Sequence, residues 1–215
     1  DHINVFPTFD NYLSQFEKFI GFIKPEGSLI YFENDEHIAK MIESPRDDIK
    51  YLPYNSHPHK VKDGISSLIT EKGNLELSIF GEHNLQNLKG AHLICKELGL
   101  SDEQFYSSIK NFGGAAKRLQ TLSQNEQTIV YQDFAHSPSK LEATTKAVKN
   151  QFADRKLVAC MELHTFSSLK EEFLPEYNNS MALADIAMVY FNPKTVEHKK
   201  LKAITADQVK EAFGF

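Results

Sequence analysis

Residues 127–163, QTIVYQDFAHSPSKLEATTKAVKNQFADRKLVACMEL, decide the fold class. TIVY is a short apolar run, and Ser137-Pro138 then opens a helical segment, because serine caps a helix start and proline fits its first turn. LVACMEL is a second apolar run. Strand, helix and strand in succession predict a crossover unit and a parallel sheet. The alternation continues downstream. Residues 167–183, SSLKEEFLPEYNNSMAL, read largely as helix, DIAMVYF (185–191) as strand and TADQVKEAFG (205–214) as a helix capped by Thr205. Several of these strands are continuously apolar, which predicts a sheet covered on both faces.

Upstream the pattern is more mixed. Apolar residues from Phe9 to Ile23 recur at helical spacing. SLIYFE (28–33) predicts a strand, NDEHIAKMIES (34–44) a short helix capped by Asn34 or Asp35, and DIKYLPY (48–54) a second strand that Pro53 ends or confines to an edge. NSHPHKVKDG (55–64) reads as a surface loop, and ISSLIT with LELSIF (65–70 and 75–80) as a hairpin. Helices are expected over 85–98, ended by Gly99, and over 102–111, capped by Ser101. FGGAAKR (112–118) places two glycines where a hinge would be, so the chain divides near Gly114 into domains 1–114 and 115–215. The fold class is α/β.

Composition narrows the function classes. The chain of 215 residues is 41% hydrophobic, enough for a core, and its 24 basic and 29 acidic residues are interspersed. A nucleic-acid binder would carry a basic stripe instead. No apolar run approaches the ~20 residues of a membrane span. Cys95 and Cys160 lie far apart in apolar runs and read as reduced core cysteines of a cytoplasmic protein. Nucleic acid and membrane are not expected partners.

Ligands of open parallel sheets bind beyond the carboxyl ends of strands. Two such ends carry polar clusters: Gln132-Asp133-Phe134-Ala135-His136-Ser137 and Glu162-Leu163-His164-Thr165. Helix capping accounts for the serines but leaves Asp133 and His136 unexplained. Lys117-Arg118 is a solvated pair or a phosphate clamp, a role suited to the planar arginine fork. GEHNLQN (81–87) sets His83, Asn84 and Asn87 at a strand-to-helix junction. One asparagine would serve as N-cap; the rest of the cluster suits the edge of a heterocycle. No phosphate loop of the form Gly-x-x-x-x-Gly-Lys-Ser/Thr occurs in these residues.

These motifs, taken together and in this order, resemble the Mur ligase family, the ATP-dependent enzymes of cytoplasmic peptidoglycan synthesis. GEHNLQN resembles the family's Gly-x-His-Asn-x-x-Asn, FGGAAKRLQ the segment joining its central and C-terminal domains, YQDFAHSPSKLEAT its Asp-Tyr/Phe-Gly/Ala-His-x-Pro strand end, and DHINVF its Asp-His-x-x-x-Phe element. The resemblance implies a partial central ATPase domain followed by a partial Rossmann-like C-terminal domain, with the UDP-sugar domain, the phosphate loop and the last strands outside these residues. It implies ATP and Mg2+ as cofactors: His83, Asn84 and Asn87 at adenine, Asp133 at ribose, Arg118 and His136 at the phosphates, and His2 near the metal. The implied reaction activates the carboxylate of UDP-N-acetylmuramate as an acyl phosphate, which an amine then attacks. His164, Asn192 and Lys194 are the implied amine-substrate residues, and a Pro-containing turn is the alternative for the last two. MELHTFSS departs from the Gln-Pro-His-Arg-Tyr-Ser-Arg of the alanine-adding branch and resembles the branch that uses the tripeptide L-alanyl-γ-D-glutamyl-meso-diaminopimelate. The alanine-adding reaction and a non-catalytic nucleotide-binding module are the alternatives. Residues 1–215 alone are expected neither to bind ATP tightly nor to ligate.

Overall fold

Local signals set most elements of residues 5–112. Thr8 accepts the Asn11 N–H and starts α1 (Phe9–Gly21). The strand β1 (Ser28–Phe32) is followed by α2 (Glu36–Met41), whose cap Asp35 accepts from the His37 and Ile38 N–H groups, and then by β2 (Lys50–Tyr54). β1 and β2 pair in parallel, with Pro53 opposite Tyr31. Among the described residues β2 has no other strand neighbour, which is where a residue lacking an N–H is tolerated. A three-stranded antiparallel meander follows: β3 (His59–Lys62), β4 (Ile65–Thr70) and β5 (Gly73–Leu77), with β4 in the middle. Its inner face packs Leu68 against Leu85, Leu88 and Phe105 of α3 (Glu82–Glu97) and α4 (Asp102–Ile109). Ser101 and Gln104 form a reciprocal capping box at the start of α4. The computed structural model describes residues 5–214, in two compact units, 5–112 and 113–214.

Residues 55–64 are not the expected surface loop. His59–Lys62 form β3, and His57 is only 3% exposed. Its Nδ1 lies 2.9 Å from the Pro58 carbonyl, so that nitrogen donates, and its Nε2 accepts from the Tyr106 hydroxyl at 2.7 Å. Burial is the main cause that lowers the His57 pKa from its ordinary value, aided by Lys89, His92 and His59 nearby. The pKa is lower folded than unfolded, so the neutral ring's contribution is present above the unfolded value of about 6.5 and is lost as pH falls through and below it. Thermal melting of the protein between pH 7.5 and 5 should therefore show a falling midpoint for the transition of residues 5–112. His57→Ala should lower that midpoint at pH 7.5 and flatten its pH dependence. An unchanged slope in the variant would refute the assignment.

In residues 113–214, β6 (Gln120–Gln124) pairs antiparallel with β7 (Ile129–Gln132), with a bulge between Thr121 and Ser123. α5 (Pro138–Gln151) leads to β8 (Val158–Leu163), which pairs in parallel with β9 (Ile186–Phe191). The expected α/β class with parallel strand pairs is thus observed. α6 (Pro193–His198) and α7 (Ala206–Phe213) complete the unit. Thr205 and Gln208 cap α7 at one end, and Gly214, at φ 77°, ends it in the left-handed region that glycine adopts without strain. Met161, Leu163, Leu169, Leu174, Tyr177, Val209 and Phe213 form the core.

Three expectations fail here. Residues 167–183 are helical only over Glu171–Tyr177, as a 3-10 helix containing Pro175; a proline removes an N–H and clashes with the preceding turn of an α-helix. The β8–β9 pair is covered on one face only among the described residues: Val158, Ile186, Met188 and Tyr190 are exposed while Met161 and Leu163 are buried. Cys160 shares that open face and is exposed, so it is not a core cysteine, whereas Cys95 is half-buried and packs against the core of residues 5–112. No helix among the described residues is long and apolar enough to cross a membrane.

Candidate functional site

The carboxyl ends of β7 and β8 carry the polar cluster. β7 begins where the Arg155 guanidinium, just ahead of β8, donates to the Gln127 carbonyl, and the Tyr131 and Phe152 rings stack nearby. At the other end the Phe134 and His164 rings are 5.7 Å apart. The two strands therefore run in the same direction, although neither hydrogen-bonds to the other. Between them and α5 lies a cavity of about 1150 Å3, with Lys117, Asp133, His136 and His164 at its carboxyl end.

Phe134 is the hub of this end. The His136 ring lies 4.7 Å from it, His164 5.7 Å, and the Arg118 guanidinium carbon 5.9 Å over its face. The two histidine rings are 6.2 Å apart. His136 Nδ1 sits 3.0 Å from the Phe134 carbonyl and His164 Nδ1 3.1 Å from the Glu162 carbonyl, the same relation to the residue two before. A carbonyl accepts only, so each neutral ring carries its proton on Nδ1 and presents Nε2 as the basic nitrogen. The Tyr177 hydroxyl donates to the His136 carbonyl and fixes the backbone there.

Arg118 sits on an unusual turn. Lys117 and Leu119 on either side have φ of 57° and 44°, the left-handed region. For residues other than glycine each such conformation costs on the order of 1–3 kcal/mol and persists where surrounding contacts over-determine it. Those contacts are the Leu119 N–H on Asp133 Oδ2 at 2.7 Å, the Phe134 N–H on the Lys117 carbonyl at 2.9 Å, and the Lys117 N–H on Gln120 Oε1 at 2.9 Å. Asp133 thus has a partner the sequence pattern did not reveal, in Leu119, fourteen positions earlier.

The remaining candidates stand apart from Phe134, although Asn192 follows β9 as His164 follows its register partner β8. In residues 5–112, His83 and Asn84 stand half-buried in the first turn of α3, and Asn87 is exposed one turn on. Neither asparagine is the N-cap: Gly81 is, at φ 92°, and the Asn84 amide donates back to the Phe80 carbonyl at 2.8 Å. Sequence reasoning also passed over Glu82, which receives the Ser56 hydroxyl and faces His59 Nε2 at 3.8 Å. Asn192 caps α6 by accepting the Lys194 N–H at 3.0 Å, so its side-chain oxygen is committed to the helix start; Lys194 is exposed. His2, the expected metal neighbour, lies outside the described residues. Among the described residues no three His, Cys, Asp or Glu side chains gather as a metal would require.

No family profile matches the chain. In sequence it is similar to the UDP-N-acetylmuramate–L-alanine ligase of Desulfitobacterium hafniense, 25% identical over 218 residues that cover 97% of this chain and 48% of that protein. In structure it is similar to the UDP-N-acetylmuramate-alanine ligase of Thermotoga maritima, with a TM-score of 0.64 at 17% identity, covering 94% of this chain and 48% of that one. The fold is that of the Mur ligases. A murein peptide ligase from Psychrobacter arcticus matches with a TM-score of 0.57 at 20% identity, over 94% of this chain and 44% of that one. The chain spans about half the length of these Mur ligases, and it aligns with that family in both sequence and fold.

Proposed function

We propose that this chain serves an ATP-dependent, amide-forming ligase of cytoplasmic peptidoglycan assembly, acting on the carboxylate of UDP-N-acetylmuramate. The observation that carries the reading is the gathering of Arg118, Asp133, His136 and His164 at the carboxyl ends of two parallel strands. A carboxylate is a poor acylating agent, and ATP would supply the phosphoryl group that activates it. Arg118 would grip the phosphate oxygens with its planar fork, and the Asp133 carboxylate would accept from ribose hydroxyls. His164 presents Nε2 as a base, suited to taking a proton from an attacking amine, and His136 would lie beside the phosphates. His83, Asn84 and Asn87 would meet adenine. Mg2+ would offset the crowded anionic charge; with His2 undescribed, no step is assigned through it.

The amine divides two readings. The relatives' names favour L-alanine, against the tripeptide expected from the sequence, and the murein peptide ligase has the lower structural similarity of the two solved ligases. Glu162, Leu163 and Thr165 favour the tripeptide as a second reading, because they replace the residues usual beside His164 in the alanine branch. Phosphate release by the complete gene product, with ATP, Mg2+ and UDP-N-acetylmuramate, should require one of the two amines. Release with alanine alone selects the first reading, and release with the tripeptide alone the second. Release with neither would defeat the ligase proposal and leave a nucleotide-binding module.

A further inference from the structure

We propose that Asp133 is a positioning residue for Arg118, in addition to any contact it makes with a ligand. The turn that carries Arg118 has left-handed backbone on both sides, at Lys117 and Leu119. Such a turn relaxes unless it is held. Of the bonds that hold it, the one with a charged acceptor comes from Asp133, whose Oδ2 receives the Leu119 N–H at 2.7 Å. The adjacent Phe134 N–H closes the other side on the Lys117 carbonyl at 2.9 Å. The end of β7 thus clamps the turn at the residues before and after the arginine. Leu119 is 8% exposed and anchors its own side of the turn, whereas Arg118 is exposed, its N–H on the Ala115 carbonyl at 3.1 Å and its guanidinium carbon 5.9 Å over the Phe134 face. The backbone clamp therefore places the guanidinium over the face of Phe134, the ring that both His136 and His164 neighbour. A carboxylate offers about four lone-pair sites, so Oδ1 stays able to meet a hydroxyl while Oδ2 holds the turn.

The catalytic consequence rests on the ligase reading; the clamp itself does not. The test therefore has two arms on the complete gene product. Amide hydrogen exchange at Leu119 should quicken about tenfold or more in Asp133→Ala, as expected for losing a charge-assisted hydrogen bond, and should stay near wild type in Asp133→Asn, which keeps an acceptor oxygen. Exchange at Leu119 that is unchanged in Asp133→Ala overturns the clamp. In the second arm, kcat for phosphate release should fall in Asp133→Ala and in Arg118→Ala. The double variant should be no slower than the slower single, because both remove one function. Losses that multiply, or an Asp133→Ala effect confined to KM for ATP, would leave only ribose contact and overturn the positioning role. If Arg118→Ala leaves kcat intact, the ligase reading of Arg118 fails, and the exchange arm still decides the clamp.

Discussion

Tyr177→Ala should cost about 3–5 kcal/mol, the range for truncating a large buried aromatic ring, and should lower the denaturant midpoint of residues 113–214 accordingly. Tyr177 is fully buried, stacked on Phe213 with ring centroids 5.0 Å apart and planes at 12°. The 3-10 helix holds it beneath the strand ends, where it joins the core of β8 and α7 to the backbone of His136. Burial raises its hydroxyl pKa to about 12, so it remains a donor at any pH the protein survives. Tyr177→Phe separates the two roles: it keeps the ring and removes one hydrogen bond, a cost of about 1 kcal/mol, with more if the His136 carbonyl is left without a partner. Equal losses in the two variants would show that the hydroxyl, not ring packing, dominates.

Arg118→Ala should reduce phosphate release by the complete gene product about 10³-fold, the lower end of what a phosphate-gripping arginine contributes in phosphoryl transfer. Stability should hardly change, because Arg118 is exposed and its described side-chain contact is the Phe134 face. Arg118→Lys keeps the charge but loses the two-pronged fork, so its rate should fall between those of wild type and the alanine variant. A wild-type rate in Arg118→Ala would remove this residue from the reaction and return it to the solvated pair that Lys117-Arg118 also resembles.

How much of this could be read from the chain follows from the range of each interaction. Asp35, Ser101 and Thr205 cap helices within three residues of themselves; the sequence names Ser101 and Thr205 outright and narrows the first to Asn34 or Asp35. The strand–helix–strand pattern of residues 127–163 was legible for the same reason, since apolar period and cap residues are local properties. The motif positions Asp133, His136 and His164 were legible as strand-end clusters. β3 was not, because HKVK becomes a strand through its partner β4 and carries little apolar signal of its own. Helical period over 167–183 misled, since Pro175 and packing of Leu174 and Tyr177 into the core favour a tighter turn there.

Sequence alone, then, indicated the α/β class, several of the helix starts and a set of candidate polar residues, because each depends on neighbours along the chain. Which of those residues meet was decided by folding. The burial of His57 under Tyr106, the turn of Arg118 clamped by Asp133, and the pairing of His136 with His164 each join positions 14 to 49 residues apart. Contacts at such separation depend on how strands and helices pack, and packing leaves no periodic trace in the order of residues.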